Sequence, residues 1–351
     1  MINSSIGKIY VFCPYGLVTG GSEALHQLVF YINKQIKDKA VLIYADIRSK
    51  KESIPTSYQQ YITTSGLRED INDEENNVLI VPETLWFHLS QYKHVQKYIW
   101  WLSVENNTKQ AKGDKIKKIF KKLFSIKVWK KIFRGYYSKD KIKDFSKNTP
   151  YDFTKEENKI HHLTASNYAY DYVKQNSSNE VSLLIEPISL YYLKQSGYQS
   201  KENRKSQVLY NPVKSGTYVN KLKKKAKDIS FVALSGYSQE QLLNLYRESK
   251  VYIDFGPFPG AERMPKEACY NGCLIITGRN GASNYKEDVS IPEEDKYLSD
   301  NESMMKVIEK IHLFFKNYEN YQNRDQDYYD KISNLEKNFN KQIKETLLSY
   351  K

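Results

Sequence analysis

The sequence predicts an α/β protein made of two doubly wound parallel sheets, and three observations carry that prediction. Its 351 residues exceed what one compact core usually covers, so two domains of ordinary size are expected. Short, continuous apolar runs alternate with stretches of helical period, the pattern of parallel strands buried on both faces. The alternation occurs twice, on either side of the polar, turn-rich segment from Tyr191 to Arg204, which marks the domain boundary.

In the first series, Lys8 to Pro14 reads as a buried strand. The loop Tyr15 to Gly21 follows it, then a helix that Ser22 can cap, with Ala24, Leu25, Leu28, Val29 and Ile32 at helical spacing. Ala40 to Ala45 completes a βαβ unit, which implies a right-handed crossover. Further strands are expected at Val78 to Val81, Tyr98 to Leu102, Ile160 to Leu163 and Val181 to Ile185, with a helix from Ser166 to Lys174. The second series has strands at Gln207 to Tyr210, Ile229 to Leu234, Val251 to Phe255 and Leu274 to Thr277. Helices are expected at Tyr218 to Lys227, Gln239 to Ser249 and Arg263 to Asn271, and two more at Glu302 to Tyr318 and Tyr328 to Tyr350. The domains are thus set at 1–190, 205–329 and a terminal helix 330–351.

Composition narrows the function classes. Hydrophobic residues make up 40% and charged residues 27%, a globular balance. The net charge of +13 is concentrated: residues 109–147 hold fifteen Lys or Arg against three acids, so the rest of the chain is near neutral and a general nucleic-acid surface is not expected. Cys13, Cys269 and Cys273 match no zinc spacing and read as buried, reduced thiols. No secretory leader opens the sequence and no apolar run approaches the ~20 residues of a membrane span, so a cytoplasmic location is expected. Asp70-Ile-Asn-Asp73 is a loop of ordinary acids, and no metal or cofactor is expected.

The most specific stretch runs from Asp254 through Gly260, Glu262, Arg263, Lys266, Glu267 and Gly272 to Gly281. A strand ends in a Gly/Pro loop, a short helix carries Glu267, and another buried strand leads into a second glycine loop. Ligands of open α/β sheets bind outside the carboxyl ends of the strands, where both loops lie. Arg263 and Lys266 open their helix where cations oppose its dipole, which suits a phosphate partner; a solvated pair is the other reading. Gly20 and Gly21, before the first helix, suit an anion or an ordinary structural turn.

From Asp254 to Ser283 this order resembles the donor-binding segment of GT-B glycosyltransferases, in particular the retaining family 4 and its relatives. The resemblance implies two Rossmann-like domains facing a cleft, with the last helix crossing back to the first domain. It implies a nucleotide-diphosphate sugar as donor substrate, with the ribose hydroxyls held by Glu267; a carboxylate suits a vicinal diol. It also assigns a diphosphate contact to Lys214 in the turn Asn211-Pro-Val-Lys214. Pro259 stands where the family carries a sugar-facing glutamate, so sugar contacts fall to the amides around Gly260 or to the Glu262 side chain. The expected donor set is Gly20, Gly21, Asn211, Lys214, Gly260, Glu262, Arg263, Lys266, Glu267 and Gly281.

Trp100-Trp-Leu-Ser-Val-Glu-Asn-Asn107 resembles a segment of bacterial surface-polysaccharide transferases. It follows a strand, as Pro82-Glu83 follows another. Trp101 and Asn106 are expected to meet the acceptor, with a packed core position as the alternative for Trp101. Glu83, Glu105 and His88 are the candidates to orient or deprotonate an acceptor hydroxyl. Between Ile116 and Phe133, apolar and aromatic residues recur at helical spacing among lysines, which suits an anionic membrane surface, while a packed helical hairpin is the alternative. The expected activity is therefore sugar transfer to a glycan or lipid-linked acceptor at the inner face of the cell membrane. A nucleotide-sugar 2-epimerase on the same fold and a non-catalytic membrane or nucleic-acid adaptor carried by 109–147, whose basic and aromatic residues could also track RNA phosphates, are the alternatives.

Overall fold

The computed structural model describes residues 6–45, 54–107, 150–157, 159–195, 204–260 and 262–348, so the expected membrane-docking segment 109–147 lies outside the described residues. The chain forms two compact units: Met1–Glu186 together with Phe339–Lys351, and Pro187–Asn338.

The first unit is built on six parallel strands in the order β2-β1-β3-β4-β5-β6. They are β1 (Ile9–Cys13), β2 (Ala40–Tyr44), β3 (Val78–Pro82), β4 (Gln96–Trp101), β5 (Ile160–Thr164) and β6 (Val181–Leu183). All five residues of β1 are buried, as a central strand covered on both faces requires. Helix α1 (Gly20–Gln35) connects β1 to β2, and its cap is Thr19, whose side chain accepts from Ser22 N at 3.3 Å. Ser22 itself is buried in the first turn, so the cap lies three residues before the one expected. Helix α2 (Asn167–Asn176) is capped by Ser166, which accepts from Ala169 N at 3.1 Å. One core cluster gathers Phe12, Val81, Ile99 and Trp101 against Ala169 and Val173 of α2.

The second unit has five parallel strands in the order β11-β10-β9-β7-β8. Helix α3 (Leu190–Lys194) precedes β7 (Lys205–Tyr210), α4 (Pro212–Lys225), β8 (Ser230–Ala233), α5 (Gln239–Glu248) and β9 (Ser249–Asp254). Then come α6 (Arg263–Tyr270), β10 (Leu274–Gly278), β11 (Lys296–Tyr297), α7 (Ser303–Lys316), α8 (Tyr318–Tyr321) and α9 (Gln326–Ser333). Helix α4 begins six residues before the expected Tyr218, because Asn211 caps it and Pro212 occupies its first position. The two-residue β11 is too short to leave a periodic signal.

In both sheets the strand order reverses once, between β1 and β3 and between β7 and β9. These reversals splay the connecting helices to opposite faces and open a crevice at the carboxyl ends of the strands. The expected terminal helix is broken at Asn334 into α9 and α10 (Leu335–Ile343), and the chain returns to the first unit at Phe339. Adjacent residues of β4 point to opposite faces: Trp101 joins the α2 cluster, while Trp100 stacks on Phe339 at 6.1 Å between centroids. Phe339 also meets Tyr31 of α1 edge-on at 5.6 Å and is fully buried. Phe339→Ala is expected to destabilise the first unit by about 3–5 kcal/mol, read as an earlier denaturant midpoint for that unit.

Candidate functional site

The carboxyl edge of the second sheet is assembled by one buried carboxylate. Asp254 ends β9 at 1% exposure, where it accepts from Ser215 Oγ and Gly256 N, both at 2.8 Å, and from Tyr252 OH at 3.1 Å. Ser215 lies in the first turn of α4 and its Oγ also accepts from Phe255 N at 2.9 Å. The two sides of the strand reversal are thereby tied together. Burial first, then the neighbouring Glu262 charge, push the Asp254 carboxyl above its ordinary value.

The loops after β9 and β10 are joined to each other in the same way. Phe258, buried, adopts a φ of 46°, a left-handed conformation that a non-glycine residue holds only under surrounding restraint. Its carbonyl accepts from Ala282 N at 2.9 Å, and Asn280 Nδ2 donates to Gly256 O at 3.1 Å. Gly281 has a φ of 49°; a Cβ there would overlap the Phe258 carbonyl and stand 2.7 Å from Pro257 O. Gly256 is equally confined, since a Cβ would stand 2.8 Å from Lys214 Cβ.

Onto this frame the sequence hangs its charges. Asn211 Oδ1 accepts from Val213 N at 3.0 Å and Lys214 N at 3.4 Å, and the Lys214 ammonium pairs with Glu262 across the reversal. Glu262 is the residue preceding α6, and Gly260 beside it is buried. Arg263, Lys266 and Glu267 are 8%, 4% and 7% exposed, so the solvated reading of the two cations does not hold. The Glu267 charge, after burial, helps push the phenol of Tyr246 well above its ordinary value, which sets the carboxylate next to that ring. Asn211 and Lys214 thus follow β7, Gly260 and Glu262 follow β9, and Gly281 follows β10, with Lys214 paired to Glu262, while Arg263, Lys266 and Glu267 lie along α6. Ser215, outside the Asp254–Gly281 stretch, and Asp254, Phe258 and Asn280 within it make these connections, a role the sequence did not assign to them.

At the carboxyl edge of the first sheet, Gly20 and Gly21 are helical residues of α1, exposed and half-exposed, and neither has positive φ; Gly16 does, at 73°. Glu83 follows β3 at 2% exposure, and its Oε2 accepts from Leu102 N at 3.1 Å. Burial pushes this carboxyl up to about 8, against the opposing donors of Leu102, Ser103 and Asn106. Asn106 is exposed beside it, and Glu105 accepts from Tyr168 OH at 2.9 Å. Asn107 Nδ2 donates to Glu83 O at 3.3 Å, and its Oδ1 accepts from Tyr151 N at 3.0 Å. His88 stands apart from this group, buried edge-on to Phe12, with Arg68 and Gln91 donating to its Nδ1 at 3.3 and 3.1 Å.

Trp101 is corrected. It is fully buried, stacked on Phe153 at 5.5 Å, with its Nε1 donating to His162 Nδ1 at 2.9 Å. The indole has no free face for a sugar, and the packed alternative describes it. Among the described residues no group of three or more His, Cys, Asp or Glu is placed to hold a metal ion, and no helix is long and apolar enough to cross a membrane.

Solved structures share this arrangement of two doubly wound units. The fold is GT-B. A glycosyltransferase from Rickettsia africae is similar over 98% of this chain and 100% of its own, with a TM-score of 0.57 and 11% identity. Sucrose-phosphate synthase from Thermosynechococcus elongatus matches over 97% and 98%, with a TM-score of 0.53 and 13% identity. The catalytic domain of starch synthase IV from Arabidopsis thaliana, solved with ADP and acarbose, matches over 97% and 100%, with a TM-score of 0.51 and 9% identity. No family model matches the sequence, and no curated protein is similar to it.

Gly281→Ala is expected to destabilise the second unit by more than about 2 kcal/mol, since it adds both overlap and a disfavoured φ. Chemical denaturation checks this. Glu83 gives a pH signature. Its folded value of about 8 exceeds the ordinary 4.5, so between those pH values the native state keeps a proton that the unfolded chain releases, and stability falls as pH rises through the window. Glu83→Gln removes that decline, so the melting temperature of the variant, compared with the parent, should improve from pH 5 to pH 9.

Proposed function

We propose that this chain is a glycosyltransferase that moves a sugar from a nucleoside-diphosphate donor to an acceptor hydroxyl of a cell-surface glycan, lipid-linked, at the cytoplasmic face of the membrane. What supports the reading is that the helix carrying Lys214 and the helix carrying Arg263, Lys266 and Glu267 begin beyond the carboxyl ends of β7 and β9, the two strands on either side of the reversal in the second sheet. Open α/β sheets bind their ligands at such reversals.

In this reading the second unit holds the donor. Glu267 accepts from the ribose hydroxyls, and Lys214 and Arg263 meet the diphosphate, whose charge grows as the glycosidic bond breaks. Before donor binding Lys214 is compensated by Glu262; a diphosphate would compete for the same ammonium and leave Glu262 to accept from sugar hydroxyls. The Gly281 amide, held in position by the bond from Ala282 N to the Phe258 carbonyl, adds in this reading a neutral donor to the same anion. In this reading the first unit takes the acceptor, Glu83 and Glu105 orienting its hydroxyl and the exposed Asn106 binding it. Because the Glu83 carboxyl ionises near 8, it serves as a proton acceptor increasingly as pH rises toward that value. Residues 109–147 would bring the enzyme to an anionic bilayer through their net positive charge and interleaved aromatics.

Calorimetric titration with UDP, ADP, GDP, CDP and TDP tests the donor assignment. One of them is expected to bind, and Glu267→Ala to weaken that binding at least ~10-fold with the melting temperature preserved. Absence of binding by all five, or full affinity in the variant, would refute it.

A further inference from the structure

Lys214 is held so that its ammonium crosses the strand reversal. It lies in the first turn of α4, and the Gly256 backbone runs so close to its stem that a Cβ there would stand 2.8 Å from Lys214 Cβ and 2.9 Å from Asp254 Oδ1. Ser215, the next residue, donates through its Oγ to Asp254 at 2.8 Å, which fixes the same turn of the helix. From this position the ammonium meets the Glu262 carboxylate at the start of α6.

Glu262 occupies the position before α6, where a carboxylate ordinarily accepts from amides of the first turn. It makes no such cap and reaches Lys214 instead, so its charge serves the pair and not the helix terminus. The Lys214 and Glu262 side chains are 33% and 13% exposed, which leaves both open to a ligand, whereas Asp254 is buried. After the larger upward push of burial, the Glu262 charge raises the Asp254 carboxyl and the Lys214 charge lowers it, so the three groups lie within electrostatic reach of one another.

An anion that approaches Lys214 therefore meets an ammonium already engaged by a carboxylate of its own unit. Its affinity is reduced by the fraction of the ammonium that is paired, and a displaced Glu262 stands as a like charge beside the newcomer. Partly exposed pairs are weak, so the reduction is several-fold and not a block. We infer that Glu262 is an internal competitor for the phosphate contact of Lys214, one that loosens the hold of the second unit on the diphosphate product. The two ends of the reaction differ for Glu262: an intact donor brings sugar hydroxyls that donate to the displaced carboxylate, and the diphosphate product has lost that sugar. The inference rests on the donor reading of the second unit, from which it takes Lys214 as the diphosphate contact.

Calorimetric titration of the full chain with inorganic pyrophosphate, and with any nucleoside diphosphate that binds, tests it. Glu262→Gln should tighten pyrophosphate binding about 3–10-fold, and Glu262→Ala should reproduce the gain. Because Glu262 does not cap α6, both variants are expected to melt with the parent. In a Lys214→Met background the gain from Glu262→Gln should fall to about 2-fold or less. Unchanged or weaker binding in the two Glu262 variants, or an equal gain with and without Lys214, would overturn the inference. Pyrophosphate has no ribose, so the two readings fail separately. A pyrophosphate gain with no nucleoside diphosphate bound refutes the nucleotide donor and keeps the competitor, whereas nucleotide binding without the gain refutes the competitor alone.

Discussion

The Asp254 carboxylate is the contact on which the candidate site depends. Three elements meet at it: β9, through its own end and Tyr252, the first turn of α4 through Ser215, and the loop through Gly256. The strand order reverses between β7 and β9, which remain hydrogen-bonded to each other, and this carboxylate ties together the segments that leave their ends. The position of Lys214 relative to Glu262, and of the whole β9 loop relative to α6, follows from it. The Phe258 carbonyl and Gly256 carbonyl then bond the β9 loop to the β10 loop, through Ala282 N and Asn280 Nδ2.

Buried polar groups recur across the molecule in a consistent role. Glu83 takes an amide from the end of β4, Asp254 takes one from its own loop, and Asp325 takes one from β10. Each carboxylate supplies an acceptor where a parallel ladder ends, so a backbone N–H that would be orphaned is satisfied. His26 does the complementary work in α1: held neutral by burial, with its value lowered to about 4, it bridges Ser22 O at 2.7 Å and Tyr44 OH at 3.1 Å.

How much of this could be read from the residues differs by element. The central strands are legible because parallel strands covered on both faces are continuously apolar, the partly buried edge strands β6 and β8 are legible as shorter apolar runs, and β11 is invisible because two residues have no period. The short helix with Glu267 was legible through its flanking glycines. The Phe258 turn was not, since φ is set by what surrounds a residue and not by its identity. The burial of Arg263 and Lys266 likewise depends on packing from distant segments. Trp101 shows the limit from the other side: its place near a strand end was readable, but strand alternation decides which face a residue joins, and it joined the core while its neighbour Trp100 met the returning helix.

The return of the chain at Phe339 makes the first unit discontinuous, with residues 187–338 interposed between its two parts. Gln342 Oε1 accepts from Ile185 N at 2.9 Å, and Phe339 fills the space between Tyr31 and Trp100, so the last helix finishes a core begun more than three hundred residues earlier. During synthesis the second unit emerges whole and can close its own sheet, while the first waits with an apolar face uncovered. The order of completion in the cell is therefore the reverse of the order in which the two units begin.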